Sequence, residues 1–305
     1  MVAPTNLHAV ELHQVEYFLA VVDHNGINAA ANALQLAQPT VSQAIRALER
    51  ELGVELFHRI GRGMVLTAAG KAFVGPARQI LRDVVAAEGA LVDAAGLPRG
   101  RLDIHATAGL AVDPLAHLVG EFRKHYPNVS LRLGDIRDEE SVPALIREGH
   151  CEIAVCHLPV SASDLQVRQL GTHEYWLVFP PGTELPERDP LPLAALPDLP
   201  LVIVPKGATG RTAVERALGA AHKRTRAAAV VQHREAMLPF VLAGVGGTIL
   251  QRPAAERAAA RGAVVRAADP PITLPYGLVY SPGRLSPAGR AFLEVLPPEP
   301  RFPPR

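Results

Sequence analysis

Residues 28–49 read as two short helices joined by a corner too tight to let them lie antiparallel. The first is Asn28-Ala29-Ala30-Ala31-Asn32-Ala33-Leu34-Gln35, and the second starts at Gln38-Pro39-Thr40 and runs to Glu49. Val41, Ile45 and Leu48 recur at helical spacing, which gives the second helix a face to bury. Gln38, Thr40, Ser42, Gln43 and Arg46 form a polar edge on the same helix. That is the plan of a helix-turn-helix whose second helix enters the major groove of DNA. An αα-hairpin of a small helical domain has the same pattern, so the flanking residues must decide.

Upstream, Val15, Phe18, Leu19 and Val22 make one apolar helix face, and Asn25-Gly26 ends that helix. Asn28 is the expected N-cap of the next helix. Pro39 suits the first turn of the second, where a missing N–H costs nothing. Gly53 closes the segment, and Val54, Leu56 and Phe57 return to the core. His58-Arg59-Ile60-Gly61-Arg62-Gly63-Met64-Val65-Leu66 then reads as a basic hairpin, or wing, whose Arg59 and Arg62 reach phosphates or a narrow minor groove.

These features occur in a dense, ordered series: Phe18-Leu19-Ala20-Val21-Val22, Gln38-Pro39-x-Val41-Ser42, Leu48-Glu49-x-Glu51-Leu52-Gly53-Val54-x-Leu56-Phe57-x-Arg59 and Leu66-Thr67-x-Ala69-Gly70. Residues 12–73 therefore resemble the winged helix-turn-helix head of LysR-type transcriptional regulators. The resemblance implies that Gln38, Pro39, Ser42 and Gln43 touch double-stranded DNA; Thr40, Arg46, Arg59 and Arg62 complete the candidate set. Two residues depart from the family pattern. Ala37 replaces a hydroxyl residue at the corner, and Gln43 stands where many relatives carry Arg or Lys. Glutamine pairs with adenine N6 and N7, whereas arginine favours guanine, so Gln43 is expected to read an A·T pair.

Thr67 is the expected cap of a long helix reaching about Ala95. Phe73, Ala77, Ile80, Val84, Ala87 and Leu91 recur alternately at four and three residues, a heptad seam that pairs with a second copy or packs on the protein's own core. Because the segment joins two domains, a partner helix is the favoured reading. Pro76 predicts a bend within it. The resemblance implies a homodimer or homotetramer, whose two-fold related heads need a partly palindromic site.

At 305 residues the chain is long enough for two or three folded units. Five segments are expected: residues 1–66 as the head, 67–96 as the linker helix, 97–161 as a first lobe, 162–273 as a second, and 274–305 returning to the first. After a hinge at Leu97-Pro98-Arg99-Gly100, strand-like and helix-like segments alternate, which predicts βαβ units and a parallel sheet. Among these are a strand over 101–106, a helix over 112–125, a strand over 129–136 and a strand over 175–179. The matches Phe122-Arg123-x-His125-x-Pro127-x-Val129, Val241-Leu242-Ala243-Gly244-Val245-Gly246-Gly247 and Leu285-Ser286-Pro287-Ala288-Gly289 extend the resemblance to the LysR-type effector domain. The overall fold class is thus α/β: a winged head and long linker helix followed by a two-lobed α/β effector-binding domain.

In such a domain, ligand-meeting groups sit after strands and at helix N-termini, where backbone N–H groups favour anions. The candidates are Thr107, Ala108 and Gly109, then Arg137 and Asp138, from the first lobe. The second lobe adds Lys206, Gly207, Ala208, Thr209 and Arg211, and further on Gln232, His233 and Arg234. A small anionic co-inducer is the expected ligand, with RNA polymerase an additional partner admitted by the resemblance.

No Gly-x-Ser-x-Gly elbow, phosphate loop or metal-spaced His/Cys cluster is present, so no catalytic residue, metal or cofactor is expected. A solute-binding protein with assembly helices, or a two-lobed enzyme, is the competing reading. Residues 1–10 lack a basic region followed by an apolar core, and no apolar run is long enough to span a bilayer, so a cytoplasmic location is expected. Cys151 and Cys156 fit a reducing compartment; in one strand they would point to opposite faces, which excludes a mutual disulfide.

Overall fold

The computed structural model describes residues 10–60, 63–90, 100–208, 210–223 and 226–297. The head comprises α1 (Leu12–Asp23), α2 (Ile27–Ala33), α3 (Gln38–Leu52), and the antiparallel strands β1 (Phe57–Ile60) and β2 (Gly63–Leu66). Val15, Phe18, Val41, Ile45, Leu48, Leu56 and Ala77 close its core. Asn28 does not cap α2; Gly26 is the N-cap, because α2 begins at Ile27. The corner is closed by Gln35 at positive φ (57°) with a Leu36 N–H bond to the Ala31 carbonyl at 2.9 Å. The N-cap of α3, Ala37, offers no side-chain bond, as the missing hydroxyl predicts, and its C-cap is Gly53 in the left-handed region. The Glu49 carboxylate accepts from the Leu56 and Phe57 amides at 2.8 and 3.2 Å, which ties the wing to the recognition helix.

α4 (Ala68–Ala90) runs through Pro76, and its cap is as expected: Gly70 N–H donates to Thr67 Oγ1 at 2.8 Å. The seam is only partly free. Phe73 packs against Phe18 with 5.2 Å between tilted ring centroids, and Ala77 is fully buried, so the first turns pack on the head. Ile80 is exposed and Val84 half-buried; Leu91 and the stretch to Ala95 lie outside the described residues. No helix among the described residues is long and apolar enough to cross a membrane.

Beyond α4 come β3 (Gly100–Ala106), α5 (Ala108–Leu110), α6 (Ala116–His125), β4 (Val129–Asp135), α7 (Val142–Arg147), β5 (Ile153–His157) and β6 (Gln166–Phe179). The short strand β7 (Leu191–Pro192) precedes β8 (Leu201–Ile203), α8 (Arg211–Ala220), β9 (Ala227–Val230), α9 (Met237–Leu242), β10 (Thr248–Gln251) and α10 (Arg252–Ala259). β11 (Val264–Arg266), β12 (Ala268–Asp269), β13 (Ile272–Tyr280) and α11 (Pro287–Val295) complete the fold.

The large sheet is mixed rather than all-parallel. β3 pairs in parallel with β4 and β5, but β13 runs antiparallel to β5 and β6 antiparallel to β13. The reason is topological: β6 and β13 are the two chain crossings between lobes, and they travel in opposite directions. β10 and β11 add to the far half of β6, while β8 and β9 form a separate parallel pair. The helix expected over 112–125 begins earlier, at Ala108, and is broken where Asp113 takes an extended conformation before Pro114.

β5 separates two cores: Ile153 and Val155 face one, Ala154 and Cys156 the other. Cys151 precedes β5 and shares the second core with Cys156, so the opposite-face argument does not apply to this pair. Both cysteines are free, and burial pushes each thiol up to about 12, leaving almost no thiolate at neutral pH.

Candidate functional site

The helix α3 places Gln38, Pro39, Thr40, Gln43 and Arg46 in solvent, with Ser42 half-buried beside them. Val41, Ile45 and Leu48 are buried beneath, so the polar edge is held out by the core rather than by its own contacts. Arg62 and the Arg59 side chain lie outside the described residues.

In the effector domain, a cavity of about 450 Å³ opens between strand ends of the two lobes. Of the predicted residues it gathers Thr107, Ala108, Gly109 and Arg137 from one side, and Ala208, Gln232, His233 and Arg234 from the other. Thr107 is 2% exposed, and its hydroxyl has no hydrogen-bond partner although it is buried. The amides of Ala108 and Gly109 open α5 and have no acceptor within that turn.

Other candidates are placed elsewhere. Lys206 and Gly207 are exposed and do not line the cavity, and Thr209 lies outside the described residues. Asp138 accepts from the Glu140 amide at 3.0 Å, capping a short turn beside the cleft. Arg211 turns along its own helix to Glu215, at 2.7 Å, and to the Val204 carbonyl; it lines a neighbouring cavity. Arg137 is 91% exposed and 3.3 Å from Asp135. The expected cationic cluster is therefore thinned to Arg137 and Arg234, with His233 adjoining.

A buried polar chain beneath the cleft escaped the sequence reading. Glu139 Oε1 lies 2.9 Å from His157 Nδ1 and also accepts the His157 amide at 3.0 Å. A carboxylate only accepts, so Nδ1 carries the proton and Nε2 faces the Tyr175 hydroxyl at 3.5 Å. Gln251 Nε2 donates to His173 Nδ1 at 2.9 Å, and His173 stacks on Tyr276 with centroids 4.3 Å apart. A Cβ on Gly109 would come within 2.8 Å of the Gln251 amide, which shows how closely the lobes approach there. His157 ends β5 and Gln251 ends β10, so both obey the strand-end rule; His173 and Tyr175 lie inside β6 and gave no local signal.

Burial is the main cause that pushes His173 down to about 4, with repulsion from His157 adding to it. A histidine kept neutral in the fold stabilises it fully above the unfolded value near 6.5, and that contribution disappears as pH falls through about 4. Acid denaturation monitored between pH 7 and 3.5 is thus expected to show less loss for His173→Gln than for the unsubstituted chain. Equal losses would remove His173 from the account.

A winged helix-turn-helix joined to a two-lobed α/β domain with a cleft is the build of a DNA-binding regulator carrying an effector domain. Residues 12–71 match the family of bacterial regulatory helix-turn-helix proteins of the lysR type, and residues 95–299 match the LysR substrate binding domain. The chain belongs to the LysR family of transcriptional regulators and is not an enzyme. It is 29% identical to the RuBisCO operon transcriptional regulator of Allochromatium vinosum, covering 94% of this chain and 95% of that one. It is 30% identical to the transcriptional regulator TfdS of Cupriavidus pinatubonensis, covering 94% and 97%. Among solved structures, full-length OxyR from Pseudomonas aeruginosa superposes with a TM-score of 0.71 at 20% identity, covering 94% and 97%. CbnR complexed with its target DNA gives 0.64 at 22% identity, covering 94% and 98%.

Proposed function

We infer that this regulator grips a partly palindromic promoter site as a homodimer or homotetramer, and that a small organic anion in the interlobe cleft modulates the grip. Gln38, Pro39, Thr40, Ser42, Gln43 and Arg46 are the proposed base and backbone contacts of each head. Exposed Ile80 and half-buried Val84 on α4 support pairing of the linker helices. Binding of RNA polymerase is a further element of the proposal. For the ligand to alter DNA binding, it must favour one arrangement of lobes and subunits over another.

The observation that carries the ligand reading is the Thr107 hydroxyl: buried, unpartnered and on the cleft wall beside two first-turn amides. A carboxylate accepting from these groups, with Arg234 and His233 opposite, satisfies a donor that otherwise costs stability. Thr107→Val is therefore expected to leave the melting temperature of the free protein unchanged or slightly raised. The same change should weaken ligand binding by roughly 10–100-fold, a hydrogen bond to a charged group being worth about 1.5–3 kcal/mol. A thermal-shift titration with small carboxylates reads both effects. Unaltered ligand shifts in Thr107→Val would move the anion away from this wall.

A further inference from the structure

The geometry points to a second compartment of the effector site: an apolar annex in the second lobe that takes the hydrocarbon end of a short branched carboxylate. This deepens the proposed function and rests on its anion reading. A separate cavity of about 50 Å³ lies between β8, α8, α9 and β10, walled by Leu201, Ile203, Val214, Met237 and Ile249. It shares Tyr175 and Arg234 with the interlobe cleft, so the two spaces meet at one aromatic ring and one guanidinium. Since a water needs about 10–15 Å³ of such space, the annex suits roughly three or four carbon-sized atoms.

Its chemistry selects against polar cargo. Arg211, the cation on its wall away from the junction, already binds Glu215 and the Val204 carbonyl. Thr248, another wall residue, donates its hydroxyl to the Val202 carbonyl at 2.8 Å. Apart from Tyr175 and Arg234 at the junction, and Glu215 held by Arg211, the side chains left to meet a ligand are aliphatic. The shared wall is soft: the Tyr175 hydroxyl is held by Gln251 and His157 at 3.5 Å each, the outer limit of a hydrogen bond. Gly210 lets the ring lie where it does, because a Cβ there would come within 2.9 Å of that hydroxyl. A ligand with its carboxylate at Thr107 and Arg234 and a compact alkyl group behind Tyr175 uses both compartments. Sugar acids, phosphates and polyols use only the first.

The test is a calorimetric titration of the full-length protein with acetate, propionate, isobutyrate and isovalerate. Burial of each added methylene is worth about fourfold in affinity, so isovalerate, three carbons longer, should bind roughly sixtyfold more tightly than acetate. Filling the annex with Val214→Phe, or independently with Ile203→Phe, should shrink that ratio to within about threefold. Equal affinity of the unsubstituted protein for all four acids overturns the annex while leaving the anion reading intact. Discrimination that persists in both folded variants also overturns it. Failure to bind any of the four acids overturns the annex together with the anion reading.

Discussion

Phe18→Ala is expected to cost the head about 3–5 kcal/mol and to abolish DNA binding while the effector domain stays folded. Phe18 is fully buried, and its ring meets Phe57 of β1 and Phe73 of α4 at centroid distances of 5.3 and 5.2 Å. One side chain thus joins the first helix, the wing and the linker. Neighbours on three elements cannot all close over the space it leaves, so a cavity penalty adds to the lost transfer energy. The effector cores contain none of these residues. Calorimetry should therefore show an early transition that splits from an unaltered later one. A single transition moved as a whole would mean that head and effector domain unfold as one unit.

Arg82→Ala is the second large effect, about 3–5 kcal/mol, and it strikes the joint between linker and effector domain. Arg82 is 8% exposed and donates to the Gly149 carbonyl at 2.5 Å and to Gln79 Oε1 at 2.7 Å. Gly149 has a φ of +71°, and a Cβ there would come within 2.8 Å of the guanidinium, so glycine makes room for the cation. Asp103 and Glu152 share the small space beside it, and Glu152 accepts the Ser286 amide at 2.8 Å at the start of α11. Burial lowers the Arg82 pKa and raises that of Glu152, outweighing their mutual attraction on both sides. Without Arg82 the buried Glu152 carboxylate loses the cation that offsets it, while Asp103 keeps Arg101 at 3.0 Å.

The pH dependence gives this prediction its sign. Because Glu152 has a raised pKa in the fold, its protonated form contributes stability below the ordinary 4.5 that is lost as pH rises. Removing Arg82 raises that pKa further. The deficit of Arg82→Ala should accordingly be largest near neutrality and shrink as the pH approaches 4.5. Urea melts across this range decide the matter; a deficit independent of pH would leave only the lost hydrogen bonds.

Local pattern made the head readable and the cleft only half so. In α3 the burial of Val41, Ile45 and Leu48 follows directly from helical spacing, and exposure of Gln38 and Gln43 follows with it. Thr107, Ala108 and Gly109 were legible because a strand must end where its apolar run ends. Arg211 was placed in the cleft although Glu215, four residues on, stood ready to turn it along the helix. Only the second half of β6, residues 175–179, was legible as a strand. Its first half, Gln166–Glu174, is polar and sits between β13 and solvent, so no apolar alternation marks it. Its partners lie about a hundred residues away, and only that pairing brings His173 and Tyr175 beside Gln251. For the same reason the seam on α4 favoured a partner helix over the protein's own core, whereas Phe73 and Ala77 are claimed by the head's own core.

The most direct test of the DNA-reading edge is a quantitative gel shift with duplexes from the regulator's own promoter, each base pair substituted in turn, over a range of salt. The unsubstituted protein should bind with affinity that falls steeply as salt rises, through release of phosphate counterions. Gln43→Ala should lose about 1–3 kcal/mol at one A·T pair and nothing further when that pair is replaced. No binding in dilute buffer, with or without small carboxylates, or an equal loss on every duplex, would contradict the proposed docking of α3.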